Sequence, residues 1–165
     1  MKKYEFTGET KEIKLLFRTA VLHRIRATVS FGFVKIGDLG GWIEKEENLS
    51  HEGKAWVCGD AKVWGNAEVW GNAKVCGDAE VFSASHVLVI GAIGSRNDFT
   101  TFYRDKDNEI TVKCGCFLGK IDRFLEKVTQ THGDSKYALV YRAAVEVAKL
   151  QIDLSGEAPK DADEE

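Results

Sequence analysis

Ala55-Trp-Val-Cys-Gly-Asp60, Ala61-Lys-Val-Trp-Gly-Asn66, Ala67-Glu-Val-Trp-Gly-Asn72, Ala73-Lys-Val-Cys-Gly-Asp78 and Ala79-Glu-Val-Phe-Ser-Ala84 are five consecutive hexads in one register. Slot one is Ala, slot two mostly charged, slot three Val, and slot four aromatic or Cys. Gly then Asn or Asp closes each hexad until Ser83-Ala84. A six-residue period is too short for a helical repeat and fits one short strand plus one corner per hexad. Side chains alternate along a strand, so Ala and Val of each hexad share one face. Gly followed by Asn or Asp suits a corner with positive φ. The pattern predicts a mainly β fold. It is a short three-sided parallel (left-handed) β-helix over residues 41–90, with three hexads to a turn, followed by a small α+β module.

Working outward, the chain of 165 residues suffices for one domain or two small ones, and at 44% hydrophobic residues it can form a core. A net charge of −3 argues against a general electrostatic grip on nucleic acid. No apolar run approaches the roughly 18 residues that would suggest a membrane span. The N-terminus has no hydrophobic signal core behind its lysines. These features predict a cytoplasmic protein without membrane contact. Cys58 and Cys76 share slot four and lie 18 residues apart. They should stack at the strand spacing of roughly 4.8 Å, and reducing conditions would leave them as two surface thiols. Cys114-Gly-Cys116 is half a zinc site at most, and His23, His51, His86 and His132 show no second ligand pair at usual spacing. No metal and no cofactor is expected.

Residues 1–40 should form a β-rich N-terminal cap, with a short strand at Tyr4–Phe6, a turn at Glu9–Glu12 and a strand at Leu22–Ala27. Arg24 and Arg26 form either a solvated basic edge or an anion contact. Composition changes near residue 90. Phe99–Arg104 and Glu109–Phe117 read as a β-hairpin around Asp105–Asn108, with Cys114 and Cys116 as small core residues. Two helices follow within the 91–153 module. Ile121, Phe124, Leu125 and Val128 give one apolar stripe at helical spacing over residues 120–131. A second helix starts at Asp134 or Ser135 and runs to about Ile152. Residues 154–165 are acidic, with Gly and Pro, and suggest a disordered tail.

A repeat of 18 residues also predicts outward neighbours: Lys62 over Glu80, Glu68 over His86, Trp64 over Phe82 and Trp70 over Leu88. The columns Trp64/Phe82 and Trp70/Leu88 are too apolar to stay bare. Either the C-terminal segment covers them, or they form an interface in a homo-oligomer (trimer or dimer) or with a partner.

Chemistry concentrates at Gly91–Tyr103. Gly94 lets a ligand approach backbone N–H groups. Ser95, Asn97, Thr100 and Thr101 offer hydrogen bonds, Tyr103 a stacking ring, and Arg96 a planar fork for phosphate or carboxylate. Together they could make an anion nest; the alternative is a turn held by its own side chains. The spacing is not that of a P-loop. No triad, carboxylate pair or metal motif is evident, so no catalytic residue is assigned. An acyltransferase using His51 or His86 is the enzymatic alternative.

Leu22-His-Arg-Ile-Arg-Ala27, Gly37-Asp-Leu-Gly-Gly-Trp-Ile-Glu44, Asn48-Leu-Ser50 and the hexads resemble a family of phage and prophage accessory proteins with hexapeptide-like β-helices. Gly94-Ser-Arg-Asn-Asp-Phe-Thr-Thr-Phe-Tyr103, Cys114-Gly-Cys-Phe117, Thr131-His-Gly-Asp134 and Tyr137-Ala138 are similar to a C-terminal module that recurs behind such repeats. The resemblance covers nearly the whole chain and carries over no catalytic residues. It implies a mobile-element setting, where small proteins often oppose host defence by trapping a signalling nucleotide or blocking a defence protein. The expectation is a non-enzymatic binding protein for an anionic, nucleotide-like ligand. The alternatives are a module that blocks a host defence protein and an acyltransferase-like enzyme.

Overall fold

A computed structural model describes residues 1–155. The strands are β1 (Tyr4–Lys14), β2 (Thr19–Ala27), β3 (Leu39–Ile43), β4 (Trp56–Val57), β5 (Lys62–Val63), β6 (Lys74–Val75), β7 (Glu80–Val81), β8 (Val87–Ile93), β9 (Asp98–Arg104), β10 (Ile110–Cys114) and β11 (Phe117–Lys120). Helices α1 (Ile121–His132) and α2 (Lys136–Gln151) end the described chain. Most of the expected acidic tail, residues 156–165, lies outside the described residues.

The expected parallel β-helix is corrected. The strands form three separate sheets: five strands in the order β1-β2-β3-β5-β7, four in the order β11-β10-β9-β8, and the pair β4-β6. All the long strands pair antiparallel, as β1–β2, β2–β3, β8–β9, β9–β10 and β10–β11. Parallel pairing is confined to short segments: β3–β5, β5–β7, β4–β6 and the single bridge Leu49–Val69. A mainly β architecture with two C-terminal helices remains.

The hexad chemistry explains these parallel pairs. Gly59, Gly65, Gly71 and Gly77 all sit at φ between 62° and 68°, turning the chain after β4, β5, the bridged Val69 and β6. Val57, Val63, Val69, Val75 and Val81, with the Ala two places before each, are buried in one core. Lys62 pairs with Glu80, and Trp64 stacks on Phe82 at 4.8 Å. Cys58 and Cys76, expected as thiols, are joined in a disulfide with their Cα atoms 4.5 Å apart. The shared slot in adjacent segments brings them together.

After Ala84 the pattern fails. Val87 keeps the slot-three register, yet its segment does not pair with Leu49–Val69. It enters β8 and pairs antiparallel with β9, Val87 opposite Tyr103 and Leu88 opposite Phe102. The four-stranded sheet and both helices enclose a second core around Phe102, Val112, Phe124 and Val145. A third cluster unites Ile13, Leu22, Trp42 and Trp64. The turn expected at Glu9–Glu12 lies inside β1, which is bulged between Phe6 and Thr10. Arg26 is paired with Glu5 at 2.6 Å, and Arg24 lies over the Trp42 ring.

Short parallel segments leave open edges, whose backbone groups need partners. Side chains supply them. Lys3, buried, donates from Nζ to the carbonyls of Glu52, Gly53 and Ala55; burial pushes its ammonium down to about 8. Tyr4 donates from its hydroxyl to the Leu49 carbonyl at 2.7 Å. Asn48 donates to the carbonyls of Gly65 and Ala67 and accepts from Lys45 N–H. On the opposite side, β9 closes the edge of β6. Thr101 Oγ1 accepts from Lys74 N–H, and the Tyr103 hydroxyl accepts from Cys76 N–H and donates to the Cys76 carbonyl. β9 alternates, so Phe102 serves the helix-side core while Tyr103 belongs to the hexad core. His51 Nδ1 accepts from Lys3 N–H, and His86 Nδ1 accepts from Phe82 N–H.

Two outcomes follow. Tyr103→Phe leaves both backbone groups of buried Cys76 without that partner, so chemical denaturation should show a loss of about 1–3 kcal/mol. Both accepting imidazoles must stay neutral, and burial holds His51 and His86 below the ordinary 6.5. In the unfolded chain they titrate normally, so their contribution is complete above that value and is lost as pH falls below it. Melting should therefore occur at lower temperature at about pH 5.5 than at about pH 7.5, with the gap narrowed in His51→Gln/His86→Gln. An unchanged gap in that variant contradicts the assignment.

Candidate functional site

The register of β9 places two turns side by side. Cys114, the last residue of β10, is opposite Thr100 near the start of β9. The β8–β9 turn, Gly94–Asn97, therefore lies at the same end of the sheet as the β10–β11 turn, Gly115-Cys116. Asn97 N–H donates to the Gly94 carbonyl at 3.2 Å, and Gly94, Asn97 and Gly115 have φ of 78°, 49° and 57°. The C-terminal half of α1 and the middle of α2 close the space beside these turns. The result is a cavity of about 180 Å³, with Ser95, Arg96, Lys127, His132 and Tyr141 among its lining and Phe117, Phe124 and Val128 as apolar wall.

Glycine is required at residue 94, where a Cβ would clash with the Tyr141 hydroxyl. At Gly115 it is the φ of 57° that favours glycine, and Arg96 Nη1 lies 3.7 Å from where a Cβ would sit. Tyr141 thus enters the cavity across the Gly94 backbone, and the Arg96 guanidinium lies close to Gly115. The Tyr141 ring stacks on His132 with centroids 5.7 Å apart. Burial holds the Tyr141 phenol up at about 12, with the Cys114 thiol and the Asp98 carboxylate adding to that and Arg96 opposing. Tyr141 is therefore a neutral hydrogen-bond donor across the physiological range. Asp98 accepts Phe99 N–H at 2.8 Å. Arg96 and Lys127 are both exposed, so the lining carries two cations against the single carboxylate of Asp98.

The residues expected to bind ligand separate. Gly94, Ser95 and Arg96 come together at the cavity. Asn97 is exposed in the same turn, its positive φ shaping it. Thr100 is buried and donates to Cys114 Sγ at 3.4 Å. Thr101 and Tyr103 lie on the other face of β9, where they hold the hexads, so neither reaches the cavity. The expected interface separates too. Trp64 is buried under β1–β3 together with Phe82, so the chain itself covers that column, and an oligomer is not needed to do so. Leu88, partly buried against the helix-side core, also lines one groove with Trp70, which stays 69% exposed. His51 and His86 are backbone acceptors, not cavity residues. Among the described residues, His, Cys, Asp and Glu do not gather in threes as a metal site. No described helix is long and apolar enough to cross a membrane.

Lys127, His132 and Tyr141 were not singled out by sequence reasoning as site residues. Their signal was present in part. Ser95-Arg96, Cys114-Gly-Cys-Phe117 and Thr131-His132 are separate strings in the chain, and all three line this cavity. The chain matches no protein-family model and no curated protein.

Gly94→Ala tests the geometry. It must displace Tyr141, and overpacking of this kind costs about 1–3 kcal/mol. Chemical denaturation should show that loss, whereas Ser95→Ala in the same turn should leave stability within about 0.5 kcal/mol of wild type.

Proposed function

We propose that the protein is a non-enzymatic binder that sequesters an anionic, nucleotide-like small molecule in the cavity beside the Gly94–Asn97 turn. The observation that carries this reading is the convergence of Arg96 and Lys127 on a cavity with aromatic walls and a neutral tyrosine hydroxyl. Arg96 supplies a planar, charge-assisted contact to a phosphate. Lys127 adds a point charge, and Tyr141 donates a hydrogen bond. Phe117 and the His132–Tyr141 stack offer flat faces to a base or sugar. At about 180 Å³ the cavity is smaller than the roughly 300–1,000 Å³ that buries a drug-sized ligand. It would hold the phosphate end, with the remainder of the ligand lying across the turn.

The resemblance to phage and prophage accessory proteins supports a counter-defence setting in the cytoplasm of a bacterial host. In that setting, a protein that binds a signalling nucleotide without turning it over silences the signal.

Native mass spectrometry and calorimetry with a panel of cyclic and linear nucleotides test the reading. At least one should bind and be released unchanged. Arg96→Ala should weaken it by roughly ten- to a hundredfold, as expected for a lost hydrogen bond to a charged group. Lys127→Ala should reduce affinity and its salt dependence. Absence of any bound nucleotide, or an Arg96→Ala variant that binds as well as wild type, contradicts it.

A further inference from the structure

A second opening lies along β8, beside the Glu68–Trp70 segment. It is a groove of about 700 Å³ lined by Glu68, Trp70, Ala73, Val87, Val89 and Phe99, among others. Its origin is the departure of the chain from its own repeat. Val69 N–H donates to the Asn48 carbonyl, and the Val69 carbonyl accepts from Ser50 N–H, so residue 69 is paired toward Leu49. In an extended segment, alternate residues present their backbone groups to opposite edges. Glu68 and Trp70 therefore face the other edge. By the repeat, the segment around Val87 would pair there, and it has gone to β9 instead.

Elsewhere such edges are closed: β6 by Thr101 and Tyr103, and the Phe82 amide by His86. Among the described residues, nothing pairs with the N–H or C=O of Glu68 or with the N–H of Trp70. β8, across the groove, is itself the edge strand of its sheet. The groove thus lies between two strand edges, with Trp70 exposed at its side.

We propose that this groove takes an extended peptide segment of a partner protein, added as a strand along Glu68–Trp70. Backbone pairing would come from the Glu68 and Trp70 groups, the mode by which sheet edges recruit peptides. Side-chain preference follows from what the chain does at the neighbouring parallel pair, where Lys62 sits beside Glu80 and Trp64 on Phe82. Glu68 is the charged side chain on the groove lining, so the peptide residue beside it is Lys or Arg. The residue beside Trp70 is aromatic or aliphatic, two positions away because alternate side chains share a face. This surface is independent of the nucleotide cavity.

The test uses the full chain and a displayed library of random heptapeptides. Selection should enrich sequences with a basic residue and an apolar residue two positions apart. Synthetic versions should bind wild type at least tenfold more tightly than Trp70→Ala, whose side chain is mostly exposed and whose loss leaves the fold intact. Glu68→Lys should reverse the preference from basic to acidic residues. Replacing a central peptide N–H by N-methyl should abolish binding, and bound peptide should slow hydrogen exchange at the Glu68 and Trp70 amides. The proposal is overturned if no such pattern is enriched over Trp70→Ala, if N-methylated peptides bind equally, or if those amides are unaffected. Protection that rises with protein concentration without peptide assigns the groove to a second copy and also overturns it.

Discussion

The fold depends on closing the edges of strands only two residues long. A segment such as Lys74–Val75 forms too few ladder bonds to stand alone, and its outer N–H groups would otherwise lack partners. The hydroxyls of Thr101 and Tyr103 meet those groups from β9. Because the opposite face of β9 carries Phe102 into the helix-side core, one strand fastens the hexads to the C-terminal module. Lys3, Tyr4 and Asn48 do the corresponding work from the N-terminal side. A buried lysine is costly unless its ammonium is well satisfied, and here it meets three carbonyls.

The candidate cavity is a consequence of that seam. With Tyr103 fixed against Cys76, the β9–β10 register sets Thr100 opposite Cys114 and lines up the two turns. The helices then pack on the Phe102 face and bring His132 and Tyr141 to the same end. Tyr141 passes where only glycine leaves room, so residue 94 belongs to the architecture of the cavity as much as to its turn. Arg96 and Lys127 stay at the surface, where they can meet an anion without the cost of a buried unpaired charge.

The hexads were legible because each slot repeats its chemistry, and their Ala and Val residues are indeed the core. The helices were legible for a similar reason: the stripe Ile121, Phe124, Leu125, Val128 has one period, and α1 spans Ile121–His132. Extrapolating the hexads to a β-helix failed at particular residues. Ser83-Ala84 removes the glycine corner, and Val87 keeps register in sequence while β9 captures it in space. The period gives the 18-residue neighbours Lys62–Glu80 and Trp64–Phe82 while the glycine corners last, and nothing in it marks β9 as the partner of Val87 once they are lost. Tyr103 and Thr101 were misplaced for the same reason, since hydroxyls that cap an edge look like hydroxyls that bind a ligand. Ser95 and Arg96 could be found from turn chemistry. Lys127 and Tyr141 could not, because only helix packing joins them to that turn; His132 lies in the string Thr131-His-Gly-Asp134, which nothing in the sequence joins to Arg96.

The fold requires β9 side chains to close the hexad edge. Amide hydrogen exchange measures this directly at Lys74 and Cys76. If Thr101 and Tyr103 hold those amides, both should exchange only through an opening as costly as that of the β9–β10 ladder. Exchange at the rate of loop amides, while β9 and β10 remain protected, would contradict closure of that edge by β9.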